Sequence, residues 1–182
     1  MNGLELAATP TYEMSHEDCF AAFRQEFDYV CRTLRRLGVH ENDVEDLLHE
    51  VFLVLHRRWK DYDSSRPLRP YLFGIAYRVS AAHQRRRAHE VSSPQLEVED
   101  QGPQPEQALQ SEQARALVLQ ALEQVPLGRR AVVIMYDLDD MPMREVARVL
   151  SIPLFTAYSR LRKGRKEFAH AVLQSHRGGH KP

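Results

Sequence analysis

Apolar residues recur at intervals of three and four along most of this chain, and that spacing limits it to a helical fold. Runs of Leu, Ala, Arg, Glu and Gln favour helix, and no stretch of alternating β-branched residues predicts a strand. Apolar residues make up 43% of the 182 positions, so a buried core is feasible. We therefore expect an all-α protein. One predicted helix face carries Phe20, Phe23, Phe27, Val30, Leu34 and Leu37.

A polar segment divides the chain. Residues 89–110 contain three Pro, one Gly and a cluster of polar and acidic residues, a composition typical of a linker. We predict an N-terminal helical domain over residues 12–90, an acidic flexible linker over 91–110, and a C-terminal helical domain over 111–175.

Each domain is expected to contain several short helices. Gly38 suits the end of the first helix, and Asn42 or Asp43 suits the N-cap of the second. The predicted helices span residues 16–37, 42–59 and 71–88 in the first domain, and 112–125, 128–138, 142–150 and 154–173 in the second.

The net charge of zero conceals alternating charged blocks. Residues 51–90 carry nine Lys or Arg against three acids, and residues 129–182 carry eleven against five. The blocks that precede each of them, 1–50 and 91–128, are acidic. Two basic blocks are typical of two contacts with a polyanion, for which binding would depend on salt. Two solvated helix faces explain the charge pattern equally well.

The stretch EVARVLSIPLFTAYSRLRKGRKEF, residues 145–168, reads as two helices around a short turn. Ala147 is small enough for the point where the helices cross, and the second helix has a strongly basic outer face. This arrangement is typical of a helix-turn-helix that enters the major groove. A plain helical hairpin with a basic face is the alternative. The predicted inward residues are Val146, Leu150, Ile152, Leu154, Ala157 and Leu161.

Together, two stretches resemble the extracytoplasmic-function (ECF) group of bacterial RNA polymerase sigma factors. Residues 43–87 are similar to the region two of that family, and residues 125–168 to its region four. The match comprises an Asp-x-Glu-Asp-Leu helix, an Arg-Pro-Tyr-Leu-Phe segment, an acidic linker and a terminal helix-turn-helix, in that order.

The resemblance implies a function and a set of partners. The chain would bind core RNA polymerase through its β′ and β subunits and direct promoter-specific initiation, including promoter opening. It would use no cofactor, bind no metal and catalyse no covalent chemistry. It would act in the cytoplasm without inserting into a membrane, and an anti-sigma factor would regulate it.

The resemblance also assigns residues to three contacts. Core polymerase would contact Asp43, Asp46, His49 and Glu50. The minus-ten element would contact Tyr62, Ser64, Ser65, Arg66, Tyr71, Arg78, Arg85, Arg86 and Arg87. The minus-thirty-five element would contact Tyr158, Ser159, Arg160, Arg162, Lys163, Arg165 and Lys166. In the linker, Glu97, Glu99, Asp100 and Glu106 either mimic a phosphate chain or belong to a solvated tether.

Two other functions compete with this interpretation. A stand-alone helix-turn-helix regulator would bind duplex DNA without polymerase, but it leaves the region-two-like segment unexplained. A nucleic-acid enzyme would need clustered His and acidic residues, and the nine His are scattered.

The remaining sequence features favour a cytoplasmic protein with free thiols. No apolar run approaches the roughly 20 residues that a membrane helix needs, and the first residues do not resemble a signal peptide. Cys19 and Cys31 lie twelve residues apart on one predicted helix, too far apart for a disulfide. Cys19 with His16 could begin a metal site, but two further ligands are not evident.

Overall fold

The computed structural model describes residues 16–90 and 106–178, and all regular structure in these ranges is helical. The prediction of an all-α fold is confirmed. A 3-10 turn, Trp59–Asp61, follows α3, and a π-helical segment, Ile134–Leu138, extends α6. The α-helices are α1 His16–Gln25, α2 Phe27–Arg36, α3 Glu41–Arg57, α4 Leu68–Glu90, α5 Glu106–Glu123, α6 Leu127–Val133, α7 Met143–Val149 and α8 Leu154–Gly178.

The single helix predicted over residues 16–37 is wrong, because the chain breaks at Glu26 into α1 and α2. Glu26 leaves helical geometry at φ −103° and ψ 9°, and its carboxylate accepts a 2.8 Å hydrogen bond from Arg69 of α4. The break lets α1 pack Phe23 against Phe52 of α3, with ring centroids 5.1 Å apart. Cys19 and Cys31 therefore lie on different helices, and both are free thiols.

Two helix boundaries differ in how well the sequence predicted them. Gly38, at φ +83°, ends α2 as predicted, because Gly adopts this backbone conformation without a steric penalty. The predicted N-cap of α3 is wrong: Asn42 and Asp43 lie inside the helix. His40 is the cap, and its imidazole Nδ1 accepts a 3.4 Å hydrogen bond from the Asn42 amide.

Both halves of the chain contribute to one apolar core. Phe73 of α4 and Ile134 beyond α6 are fully buried within it. Helix α4 packs against α7, and α2 packs against α5. At Gly74 a Cβ would lie 3.2 Å from Val149 Cγ1, a tight contact, so the lack of a side chain eases the close approach of α4 and α7.

In the second half, α5 begins at Glu106, so residues 106–110, which we predicted as linker, are helical. The predicted roles of Glu97, Glu99 and Asp100 lie outside the described residues, as does the side chain of Glu106. Helices α7 and α8 form the predicted helix-turn-helix. Ser151 makes its turn at φ +52°, a conformation that is unusual for a residue other than Gly.

The inward stripe of the helix-turn-helix is largely as predicted, with one error. Ala147, Ala157 and Leu161 are buried, but Leu154 is 39% exposed. Leu154 is the first residue of α8, so no preceding turn of helix covers it.

Candidate polymerase and promoter interfaces

The four predicted polymerase contacts on α3 divide into an open pair and a pair that contacts arginines of α4. Asp46 and His49 are exposed, because the apolar stripe of α3 faces the core. Asp43 and Glu50 are half-buried and turn toward the C-terminal end of α4. Asp43 accepts a 2.9 Å hydrogen bond from Arg87, and Glu50 lies 3.4 Å from Arg86. Only part of the predicted acidic face is therefore open to a partner.

An apolar depression adjoins the open pair, and the sequence analysis missed it. Phe20 and Phe27 were predicted to share one apolar helix face with Val30 and Leu34, but they are 57% and 45% exposed. The break at Glu26 rotates them outward, and nothing in the apolar spacing signals that break. We call this depression the aromatic groove; it has a volume of about 710 Å³ and is lined by Phe20, Phe23, Arg24, Phe27, Glu45, Asp46, Leu48, His49 and Phe52.

The predicted minus-ten residues Tyr62 and Tyr71 form a row of rings with Trp59, in which Tyr62 stacks on the tryptophan and Tyr71 packs at a tilt against Tyr62. The ring centroids of Trp59 and Tyr62 are 5.4 Å apart, and those of Tyr62 and Tyr71 are 5.2 Å apart. Trp59 is buried and anchors the stack, while both tyrosines are half-buried. We call these three residues the aromatic ladder. Trp59 was assigned no function from the sequence, although its position three residues before Tyr62 could have suggested one.

Hydrogen bonds to Asp63 stabilise the loop between Tyr62 and Tyr71. One oxygen of this carboxylate accepts hydrogen bonds from the Ser65 amide at 3.0 Å and the Ser65 hydroxyl at 2.6 Å. The other lies 3.1 Å from Arg66. The hydrogen bonds from Ser65, with the charge of Arg66, hold the pKa of the Asp63 carboxyl below its ordinary value. The turn leaves Ser64, Ser65 and Arg66 exposed, as a DNA contact requires.

Four of the predicted minus-ten residues line a cleft whose opposite wall belongs to the second half of the chain. The cleft has a volume of about 250 Å³. Desolvation and the nearby charge of Arg58 lower the pKa of Arg78, which lies in it. Helix α7 and the turn after it cover part of the predicted minus-ten surface. One wall contains Tyr62, Arg66, Tyr71 and Arg78, and the other contains Arg148, Val149 and Ser151.

The three arginines at the end of α4 differ in their availability. Arg86 and Arg87 contact the acids of α3 described above. Arg85 is exposed and makes no ion pair with any residue that the structure describes. Of the three predicted phosphate contacts, Arg85 is therefore the one whose charge no described acid offsets.

The predicted DNA face of α8 is mostly exposed, but three of its members are half-buried or ion-paired. Arg160 is half-buried, and its guanidinium lies close to Gly128 of α6. Arg165 makes a bidentate pair with Asp137 of the π-helical segment, with one hydrogen bond at 3.0 Å and the other at 2.5 Å. The pair removes much of the charge that Arg165 could offer to a phosphate. Ser159 is also half-buried, and the other members, Tyr158, Arg162, Lys163 and Lys166, are exposed, as is the ion-paired Arg165.

Gly164 fixes the position of α8 against α6. A Cβ at this site would lie 2.8 Å from Val133 Cγ2 and 3.3 Å from the Arg129 carbonyl oxygen. Gly costs about 1 kcal/mol relative to Ala inside a helix. The close contact with α6 explains why Gly stands here despite that cost, because a Cβ would not fit.

Two charged residues, both missed by the sequence analysis, join the halves of the chain. Asp139 accepts hydrogen bonds from Tyr29 and Arg36 of α2, each at 3.0 Å. The buried guanidinium of Arg130 donates to the Leu37 carbonyl at the end of α2. Neither residue has a sequence pattern that identifies its partner, since the partners lie about a hundred residues earlier.

Two kinds of feature are absent from residues 16–90 and 106–178. They contain no cluster of three or more His, Cys, Asp or Glu side chains that could hold a metal ion. No helix in these ranges has the length and apolar content needed to cross a membrane.

Comparison with known proteins identifies both halves. The family model of sigma-70 region 2 matches residues 22–90, and that of sigma-70 region 4 matches residues 115–168. The RNA polymerase sigma factor NccH of Alcaligenes xylosoxydans xylosoxydans is 27% identical over 154 residues, which are 80% of this chain and 81% of that protein. The ECF RNA polymerase sigma factor SigE of Mycolicibacterium smegmatis is 28% identical over 148 residues, covering 79% of this chain and 57% of that protein.

A solved structure shares the fold. The sigma factor RpoE of Bartonella quintana, in complex with the anti-sigma factor NepR, has a TM-score of 0.63 and 21% identity, covering 83% of this chain and 96% of that one. The two sigma-70 regions follow each other in the expected order, and the relatives carry the same family name. The chain therefore belongs to the sigma-70 family of RNA polymerase sigma factors, in its extracytoplasmic-function group, and directs transcription initiation.

Proposed function

We propose that this sigma factor opens promoter DNA and captures an unpaired base of the minus-ten element at the aromatic ladder. The observation that carries the proposal is the aromatic ladder, in which Tyr62 stacks on the buried Trp59 and Tyr71 packs at a tilt against Tyr62. Ser64 and Ser65, in the loop between the two tyrosines, are exposed. A base taken out of a duplex needs an aromatic surface for stacking and polar groups for its edge. The segment from the 3-10 turn at Trp59 to the first turn of α4 supplies both.

Core polymerase is proposed to dock on α3. Asp46 and His49 are exposed and border the aromatic groove. A carboxylate beside an apolar groove suits a helix of the β′ subunit that carries both basic and apolar residues. Asp43 and Glu50 would contribute less directly, since they hold Arg87 and Arg86.

The minus-thirty-five element is proposed to bind along α8. Tyr158 and Ser159, near the N-terminal end, would reach base edges in the major groove. Lys163 and Lys166, farther along the helix, would contact phosphates. The exposure of Tyr158 and both lysines in the folded chain supports this assignment.

A rearrangement of the two halves is part of the proposal. Helix α7 covers part of the minus-ten cleft, so promoter opening requires α7 to move away from α4. Docking on polymerase would supply the free energy for this movement. We also propose that an anti-sigma factor holds the chain away from polymerase, as an extension from RpoE, which was solved with NepR.

The remaining assignments follow from the same proposal. The sigma factor would act in the cytoplasm and would carry out no covalent chemistry of its own. Both interpretations of the acidic linker are retained: it mimics nucleic acid, or it is a simple tether.

The proposal is tested by mapping unpaired thymines with permanganate. The full chain is combined with core polymerase and a promoter selected from a random library, and the complex is treated at a temperature that permits opening. Wild type should expose reactive thymines in the minus-ten element. Tyr71→Ala should retain promoter binding but lose most of this reactivity, whereas Tyr71→Phe, which keeps the ring, should retain it.

Two results would contradict the proposal. Equal reactivity for Tyr71→Ala and wild type would exclude the ladder as the site of base capture. Tight binding of the chain alone to duplex DNA, with no opening in the presence of polymerase, would favour a stand-alone regulator.

A further inference from the structure

The DNA face of α8 begins with a large apolar side chain that the sequence-based assignments do not include. Phe155, the second residue of α8, is 83% exposed, and Tyr158, one turn later, is 54% exposed. Single exposed apolar residues are common on protein surfaces. Phe155 is distinguished by its location, since it lies where a recognition helix meets base edges.

Helical spacing places Phe155 on the proposed reading face. Ser159 and Lys163 follow it at intervals of four, so the three side chains form one row. They border the same depression, which also includes Thr156 and Arg160 and has a volume of about 340 Å³. The face is therefore aromatic at its N-terminal end and basic farther along.

This order of side chains matches the chemistry of the major groove. Phosphates attract the basic residues and fix the helix in the groove. The N-terminal residues then lie closest to the base edges. Among the groups displayed there, the 5-methyl group of thymine is the apolar one, and Phe is among the side chains that contact it.

We propose that Phe155 is a specificity-determining residue that packs against the 5-methyl group of a thymine in the minus-thirty-five element. This inference rests on the proposed function of α8, and it adds that Phe155 selects a thymine. The experiment below distinguishes this DNA contact from the alternative, a contact between Phe155 and a protein subunit of the polymerase.

The test removes the methyl group and the phenyl ring in turn. A promoter is selected from a random library with wild-type holoenzyme. Each thymine in its minus-thirty-five element, on either strand, is replaced singly by deoxyuridine, which lacks only the 5-methyl group. Affinity is measured for holoenzymes containing wild type, Phe155→Ala or Phe155→Leu.

We expect one thymine at which loss of the methyl group weakens wild-type binding about fourfold, the size of effect expected for one buried methyl-sized group. Phe155→Ala should bind the thymine and deoxyuridine duplexes equally well. Phe155→Leu, which retains a smaller apolar side chain, should show an intermediate ratio. Because Phe155 is exposed, each variant should unfold at the same temperature as wild type.

Leu173→Ala provides a matched control. Leu173 lies eighteen residues after Phe155 on the same helix, a distance of five full turns, so it shares the same face. It is 61% exposed. This variant should keep the full wild-type response to deoxyuridine, because its site lies far beyond the bases that Phe155 reaches.

Three results would overturn the inference. The deoxyuridine duplexes could weaken wild type and Phe155→Ala equally, which excludes the contact. Phe155→Ala could weaken assembly with core polymerase without changing any response to deoxyuridine, which assigns the surface to a protein contact. If the wild-type holoenzyme selects no upstream sequence, the proposed function of α8 is refuted, and the thymine contact is refuted together with it.

Discussion

The guanidinium of Arg130 donates a 2.6 Å hydrogen bond to the carbonyl oxygen of Leu37, 93 residues earlier in the chain. The same guanidinium donates to the carbonyls of Glu123 at 2.7 Å and Val125 at 3.0 Å. One buried side chain thus ties the end of α2 to the turn between α5 and α6. A Cβ at residue 38 would collide with this guanidinium, so Gly38 is needed for space as well as for its backbone conformation.

Arg130→Met should lower the free energy of unfolding by about 2–4 kcal/mol, because it leaves buried carbonyl groups without donors. Urea denaturation measures this loss. Arg129→Met is the matched control: Arg129 is only half-buried and pairs with Glu167 at 2.8 Å, so its loss should cost less than about 1 kcal/mol. Equal losses for the two variants would contradict the structural role of Arg130.

Asp139→Asn should stabilise the folded chain near neutral pH. Burial raises the pKa of the Asp139 carboxyl above its ordinary value, although Tyr29 and Arg36 donate hydrogen bonds to it. Stability from a group with a raised pKa is present below its unfolded pKa and is lost as the pH rises through the folded value.

The amide that Asp139→Asn introduces cannot ionise in this range, so the stability gained by the variant should grow as the pH rises from acidic to neutral. Urea denaturation of both proteins at several pH values measures the difference. A difference that is constant, or that shrinks with rising pH, is inconsistent with the buried carboxylate described here.

Asp46→Arg should weaken binding to core polymerase, because it places a positive charge against the proposed basic partner. Asp46 is exposed, so folding should be unaffected. Asp28→Arg makes the same charge change at an exposed site on α2, outside α3. Titration of labelled core polymerase should show a larger loss for Asp46→Arg, and the gap between the variants should narrow in high salt. Equal affinities would exclude Asp46 from the docking surface.

Lys166→Ala and Arg165→Ala should differ although the residues are adjacent. Lys166 is exposed, whereas the charge of Arg165 is largely neutralised by Asp137. Loss of a free phosphate contact should reduce the slope of log affinity against log salt by about 1 and weaken all promoters alike. We expect this for Lys166→Ala and a smaller change for Arg165→Ala. A larger change in salt slope for Arg165→Ala than for Lys166→Ala would contradict this prediction, and it would mean that the Arg165–Asp137 pair separates on DNA.

The sequence predicted features that depend on local periodicity. The helix-turn-helix and the inward positions Ala157 and Leu161 follow from apolar spacing, and the turn at Ser151 follows from the Ser-Ile-Pro interruption. Gly38 was predicted to end α2 because its backbone conformation is a local property. The family resemblance added roles that spacing cannot supply.

Features that depend on distant contacts could not be predicted. At the break in the helix, Glu26 accepts a hydrogen bond from Arg69, which lies 43 residues later. This break exposes Phe20 and Phe27. The partners of Arg130 are main-chain carbonyls, which no residue type reveals. Gly164 is unfavourable within a helix by propensity alone, and only the fold shows that Val133 occupies the space of its missing side chain.

Run-off transcription with core polymerase and a promoter library tests the central claim most directly. The account predicts that core polymerase alone gives no specific transcript and that adding this chain produces transcripts from templates sharing two spaced elements. Tyr71→Ala should abolish these transcripts while the sigma factor remains bound to polymerase. The same transcripts with and without the chain, or full activity of Tyr71→Ala, would contradict the account.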